Sequence, residues 1–339
     1  MSLEFRHIAH AYGTVAALED VSFTAHAGEI TCLLGSSGCG KSTLLNLAAG
    51  LLPLQHGSIS VHGEVMAEPG ISPPPEARPV GLVFQDGALF PHMTIARNVA
   101  FGIDRRRAGE VENWLSMVGL EGMGARYPHE LSGGQQQRAA LARAMAPGPQ
   151  VLLMDEPFAS VDIVLRRKLR RDCRRLLRSS ETTTILVTHD PDEALDVADR
   201  IAVMESGRIV QFGTPDQLHR SPATASVGAI FGGAQIIKAS RSGEWLETAF
   251  GRWETGSIHG PVPDETALDL LVFADQVLCE PASDGLEAID NHPLGTGHRI
   301  VLRSPDGAEL TVESDHPIDA SSHYSVTPFS QTVRAFPRN

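Results

Sequence analysis

Residues 35–43 read "GSSGCGKST". The spacing is G-x-x-x-x-G-K-[ST], and the flanks decide what it means. Ahead of it, Ile30–Leu34 is an apolar run that predicts a buried strand. Behind it, "KSTLLNLAAG" predicts a helix closed by Gly50. Strand, glycine-rich turn and helix together are the setting of a phosphate-binding loop. Gly35, Ser36, Ser37, Gly38, Cys39, Gly40 and Thr43 would surround the phosphates of a nucleotide, with backbone N–H groups turned inward. Cys39 serves there as a small spacer. Lys41 supplies a point charge for the β- and γ-phosphates, and Ser42 offers its hydroxyl to Mg²⁺.

Two further stretches extend this chemistry. Residues 151–157, "VLLMDEP", are an apolar strand ending in two carboxylates. At such a place Asp155 can hold Mg²⁺ through its water shell, and Glu156 can polarise an attacking water as general base. Residues 131–138, "LSGGQQQR", put the hydroxyl of Ser132 and the glycines Gly133 and Gly134 at the start of an Ala-rich helix. Free N–H groups and the helix dipole suit an anion there. This second segment has no lysine, so it reads as half of an anion site.

The remaining pattern predicts an α/β chain. Residues 1–30 alternate apolar and polar positions and predict antiparallel strands. The Pro-rich residues 66–79 predict a loop, and "VGLVF" a short buried strand. Residues from about 86 to 145 predict a helical subdomain. "IVLRRKLRRDCRRLLRSS" and "PDEALDVADR" predict helices on either side of the buried strand "TTILVTHD", and "IAVMESGRIVQFG" a hairpin. Buried strands alternating with helices imply a parallel sheet. Composition changes near "AIFGGAQ". Beyond it lie short alternating strands with 16 acidic against 7 basic residues, a balance of −9. The predicted domains are therefore 1–233, a nucleotide-binding core, and 234–339, a small β-rich domain.

Net charge is −13, which argues against a nucleic-acid partner. The arginine-rich stretch Arg166–Arg178 keeps leucines on one face and reads as a solvated helix face. The four cysteines lack metal spacing and read as free thiols. The C-terminal histidines His259, His292, His298, His316 and His323 show no ligand spacing. No apolar run approaches the ~20 residues that span a bilayer, and the first residues lack a signal-peptide pattern. The expectation is a soluble cytoplasmic chain that meets a membrane through a partner.

Taken together, "GSSGCGKST", Gln85 in "VFQDGALFPHMT", "LSGGQQQR", "VLLMDEP", "SVD" (Ser160–Asp162) and His189 in "ILVTHD" resemble the ATP-binding subunits of ABC transporters. The resemblance covers about the first 230 residues, with the motifs in the family's order. Val161 stands where the family usually has Leu. The resemblance implies a P-loop NTPase core with an antiparallel β subdomain and a helical subdomain, followed by an OB-like regulatory domain. It implies that Tyr12 stacks on adenine, that Gln85 reaches Mg²⁺ or the attacking water, and that His189 contacts the γ-phosphate. It also implies a head-to-tail dimer. In it Ser132, Gly133, Gly134 and Gln135 of one copy, with Asp162, complete the ATP site of the other.

The same resemblance implies a transmembrane permease as partner, a periplasmic solute-binding protein acting indirectly, and a place on the cytoplasmic face of the inner membrane. Only about 45 residues separate Gln85 from Leu131, with no heptad array, unlike the coiled-coil repair and chromosome ATPases. One cassette per chain differs from the tandem cassettes of translation-associated ATPases, and no membrane helices are fused as in exporters. The β-rich tail favours an importer, though "VFADQV" (Val272–Val277) departs from the Arg-Pro-Glu often found there. The phrase "GALFPH" looks most like ferric-iron importers. Polyamine, sugar, thiamine and sulfate importers have closely related cassettes.

Overall fold

The structure, a computed structural model, describes residues 2–159, 161, 163–295, 297–315 and 323–338. The chain forms two compact units, Met1–Gln217 and Leu218–Asn339.

In the first unit the alternating N-terminal residues form β1 (Ser2–Tyr12) and β2 (Val15–His26), as their period of two requires. They pair antiparallel with each other, and β1 pairs with β4 (His56–Val61), which pairs in turn with β5 (Glu64–Ala67). Between β2 and β4 lie β3 (Ile30–Leu34) and α1 (Lys41–Ala49). All five residues of β3 are buried, the mark of a strand covered on both faces.

The second sheet of this unit adds β6 (Val80–Val83), β7 (Val151–Asp155), β8 (Thr183–Thr188), β9 (Arg200–Glu205) and β10 (Arg208–Gly213). Its order is β10-β9-β3-β8-β7-β6. All pairs are parallel except β9–β10, the predicted hairpin. Leu44, Leu45, Leu47 and Ala48 of α1 share one core with Leu3, Phe5 and Ile8 of β1 and with Leu153 and Val187 of the parallel sheet.

The predicted helical stretch holds α2 (Ile95–Ala100), α3 (Val111–Met117) and α4 (Gly133–Met145), with 3-10 turns at Arg105–Glu110 and Pro128–Glu130. It has its own core of Ile95, Val99, Leu115, Leu120, Leu131, Ala139 and Ala142. Two helices follow β7 and β8, namely α5 (Ile163–Ser180) and α6 (Pro191–Val197). The Pro-rich stretch is less irregular than expected: β5 takes its first residues and a 3-10 turn spans Pro75–Ala77.

Helices α7 (Pro215–Arg220) and α8 (Ala225–Ile230) precede the tail strands. These are β11 (Gln235–Ser242), β12 (Trp245–Thr248), β13 (Gly251–Glu254), β14 (Ala267–Val272), β15 (Val277–Ala282), β16 (Leu286–Leu294), β17 (Gly297–Arg303), β18 (Glu309–Ser314), β19 (His323–Pro328) and β20 (Arg334–Pro337). They make two five-stranded sheets, β13-β12-β11-β14-β20 and β15-β19-β16-β17-β18. Every pairing in both is antiparallel. Trp253, 1% exposed, stands in their shared core and donates from Nε1 to the Val326 carbonyl of the other sheet at 3.0 Å. The division after Gln217 comes earlier than the sequence boundary at 233/234. The reason is α8, which lies so close to β14 that a Cβ on Gly228 would stand 2.3 Å from Leu271 Cδ2.

Because each unit has its own core, a chain ending at residue 233 should retain nucleotide affinity, measured by titration with a fluorescent ATP analogue. Complete loss of binding would contradict the separate-unit reading.

Candidate functional site

Strand order sets the site. In the parallel sheet β8 lies between β3 and β7, in register Leu34↔Thr188 and Asp155↔Val187. The carboxyl ends of these three strands therefore lead into the glycine-rich loop, the "DE" pair and His189. Ligands of open α/β sheets gather at that edge.

The loop turns into α1 through Gly40, whose φ is 106°. A Cβ there would sit 2.5 Å from the Ala17 carbonyl, so only glycine fits. Lys41 is 5% exposed and donates from Nζ to the carbonyls of Gly35 at 2.7 Å and Ser36 at 2.9 Å, with Cys39 Sγ at 3.6 Å. Its charge is thus held inside the curve of the loop. Tyr12 is half-exposed beside the first turn of α1, its hydroxyl 3.4 Å from Thr43 Oγ1 and its ring edge-on to His10.

Ser42 Oγ donates to Asp155 Oδ1 at 3.4 Å, across 113 residues of sequence. Burial first, then the neighbouring Glu156 charge, push the Asp155 carboxyl above the usual carboxylate range; Ser42 and Lys41 oppose the shift. A hydroxyl and a carboxylate under such strain form an oxygen donor pair that fits a hard divalent cation. Glu156 comes next, in the left-handed region at φ 42° and held by its N–H on the Val187 carbonyl at 2.9 Å. Its Oε1 lies 3.0 Å from Nδ1 of His189. A carboxylate beside an imidazole at a strand edge can accept a proton from water and keep that water oriented.

Gln85 is exposed just beyond β6, two residues after Val83, which is in register with Met154. The segment that follows it is fixed from the helical subdomain. Arg143 of α4 donates to the carbonyls of Ala88 at 2.7 Å and Gly87 at 3.0 Å, and lies over the Phe90 ring. Asn98 of α2 is fully buried and accepts from Phe90 N at 2.8 Å while donating to the carbonyls of Phe90, Met93 and Thr94. Neither residue is marked by the motifs; an Arg five places from the C-terminal end of the signature run and an Asn on an apolar helix were the only signals.

Ser132 is the N-cap of α4 and is exposed with Gly133, while Gly134 is buried. The polar partners of this segment are local: Ser132 N donates to Gln135 Oε1 at 2.9 Å, and Gln135 Nε2 reaches Met123 Sδ at 3.6 Å. Among the described residues no hydrogen bond joins it to residues 35–43. Ser160 and Asp162 lie outside the described residues, as does His316.

The expected solvated face of α5 holds for Arg167, Lys168, Arg171 and Arg175, which are exposed, but Arg170 is a correction. Arg170 is 4% exposed and pairs with Asp190, with Glu193 at 3.7 Å and with Asp196 at 3.3 Å. The acids of α6 face this helix and draw its arginines in. Burial pushes the Glu193 carboxyl up to about 7, against the pull of Arg170.

A family model described as "ABC transporter" matches residues 18–159. The sulfate/thiosulfate import ATP-binding protein CysA 2 of Chromobacterium violaceum is 43% identical over 284 residues, covering 82% of this chain and 76% of that protein. The chain belongs to the ABC transporter ATP-binding proteins. The Fe(3+) ions import ATP-binding protein FbpC of Mesorhizobium japonicum is likewise 45% identical over 254 residues, with 74% and 71% covered. A dimeric ATP-binding cassette in a post-hydrolysis state, bound to ADP and Pi, matches at 26% identity and a TM-score of 0.54, covering 62% of this chain and 98% of that one. As a member of this family the chain is an ATP-hydrolysing enzyme with a P-loop α/β core and an added β-rich region.

Asn98→Ala would strand the groups that its amide satisfies in a fully buried place. It should cost about 2–3 kcal/mol in urea unfolding of the chain. A change within about 0.5 kcal/mol would remove Asn98 from the support of the Gln85 segment.

Proposed function

We propose that the chain is the ATPase of an ABC importer and works as a head-to-tail dimer with two ATP at the interface. The observation that carries this reading is the division of anion-binding parts. Lys41, Ser42, Asp155, Glu156 and His189 gather at one sheet edge, while among the described residues Ser132–Gln135 bond only within the helical subdomain. The relatives' names speak of import, and one solved cassette is described as dimeric.

In this reading the loop 35–43 cradles the triphosphate and Lys41 exchanges its loop carbonyls for phosphate oxygens. Tyr12 stacks on adenine. Ser42 and Asp155, with Gln85, would hold Mg²⁺, which supplies charge neutralisation at the β- and γ-phosphates when bound. A second copy closes over the exposed face of the γ-phosphate with Ser132, Gly133, Gly134 and Gln135, its helix dipole adding to the attraction. The family resemblance assigns Asp162 to that interface as well. Glu156 accepts the proton of the attacking water and His189 keeps the water and Glu156 aligned. Loss of phosphate removes the charge that joins the copies, and they part.

The partners follow: a transmembrane permease, a periplasmic solute-binding protein acting through it, and a place on the cytoplasmic face of the membrane. For the solute, "GALFPH" supports ferric iron. Sulfate or thiosulfate is the second reading, favoured by CysA relatives such as that of Nocardia farcinica, 49% identical over 227 residues. The ATPase does not touch solute in this architecture, so the solute is read from transport by the whole complex. Uptake of labelled Fe³⁺ against labelled sulfate by the reconstituted complex decides it, sulfate-only transport refuting the iron reading.

Glu156→Gln should bind ATP, turn over at least ~100-fold more slowly and accumulate dimer in size-exclusion chromatography. An active, monomeric variant would refute the base assignment. Ser132→Arg should spare ATP binding to the monomer and abolish turnover; loss of monomer binding would show that Ser132 serves its own chain's nucleotide.

A further inference from the structure

Helix α5 carries arginines at every fourth position, 166, 170, 174 and 178, so they share one face. Each engages chain beyond α5. Arg166 donates to the Val161 carbonyl from Nε at 3.1 Å and Nη2 at 2.8 Å, gripping the segment that leaves Glu156. One turn on, Arg170 binds Asp190, the residue directly after His189. Arg174 takes the Ala198 carbonyl at 3.1 Å and Asp199 at 2.9 Å, and Arg178 also takes Asp199.

Asp190 is well placed to transmit this grip. Its N–H donates to Thr188 Oγ1 at 3.0 Å, and its Oδ1 accepts from the N–H groups of Asp192 and Glu193, capping α6. His189 is therefore set between a buried strand end and a cap that Arg170 holds. From there its Nδ1 meets Glu156 Oε1.

The network is also an expensive way to obtain stability. Arg170 and Glu193 are each 4% exposed, yet Arg170 Nε and Glu193 Oε1 have no hydrogen-bond partner among the described residues. Buried charges with bonds left unmade contribute little net stability compared with apolar packing of the same volume. What they do provide is a fixed direction: a planar guanidinium set against three carboxylates, Asp190, Glu193 and Asp196, admits few arrangements.

We propose that Arg170 is a positioning residue for ATP hydrolysis, acting through Asp190 to hold His189 against Glu156. The inference rests on the assignment of Glu156 and His189 as the water-activating pair. From the same helix Arg166 holds the Val161 carbonyl, five residues after the other member of the pair.

The test is steady-state ATPase kinetics of the full chain for Arg170→Met, Arg170→Lys, Asp190→Asn, His189→Ala and the doubles with His189→Ala. Asp190→Asn keeps an N-cap side chain while removing the charge that Arg170 holds, so it serves where Arg170→Met does not fold. Arg170→Met and Asp190→Asn should each lower kcat about tenfold or more with KM for ATP little changed, as expected for misalignment near the reacting atoms. Arg170→Lys should recover part of the loss. Adding His189→Ala should cause no further fall beyond His189→Ala alone, since residues acting as one unit are not additive. Undiminished kcat in both charge-removing variants, or losses that multiply in the doubles, would overturn the proposal. Full activity of His189→Ala by itself would instead defeat the underlying pair assignment, and this inference with it.

Discussion

The placement of β8 between β3 and β7 is the constraint on which the site depends. Each strand of the three ends in a different chemistry: a lysine-bearing loop, two carboxylates, and an imidazole. Parallel pairing forces all three ends to the same edge, and adjacent strands stand only about 4.8 Å apart. The Glu156–His189 contact is a direct product of that spacing, while Ser42 reaches Asp155 past the end of β8 because the loop carries it from β3 into α1. Because β3 and β8 are buried on both faces, a one-residue slip would swap their side chains between two differently packed faces.

The helical subdomain adds a different kind of order. The signature at the N-terminus of α4 remains outward, while Arg143 in the last turn of α4 and Asn98 of α2 fasten the Gln85 segment. Burial weakens the hold of the Arg143 guanidinium on its proton, but two carbonyl acceptors and an aromatic face offset the desolvation. One helix, α4, thus connects the exposed signature to the loop that follows β6 at the edge of the parallel sheet.

Much of this was legible in the residues. The motif at 35–43 defined strand, loop and α1, with Gly50 closing the helix in the left-handed conformation. The limits of α5 were also readable from its pattern, but the role of its arginines was not. Charge on a helix usually faces water, and the partners lie 20 or more residues onward in another element. A signal did exist: Asp190, Glu193, Asp196 and Asp199 recur every third residue along and just past α6, matching the fourth-residue recurrence of arginines on α5. Strand order was not readable from local pattern, since any apolar run fits any place in a buried parallel sheet. Composition changes after α8, whereas the compact units already divide after Gln217 because α8 packs on β14.

The backbone at Glu156 gives this site a built-in conflict. A left-handed φ of 42° is unfavourable for a residue with a Cβ and costs about 1–3 kcal/mol. Glycine would relax that dihedral and remove the carboxylate in the same step. On the proposed base assignment, thermal stability and turnover therefore pull in opposite directions at a single peptide unit.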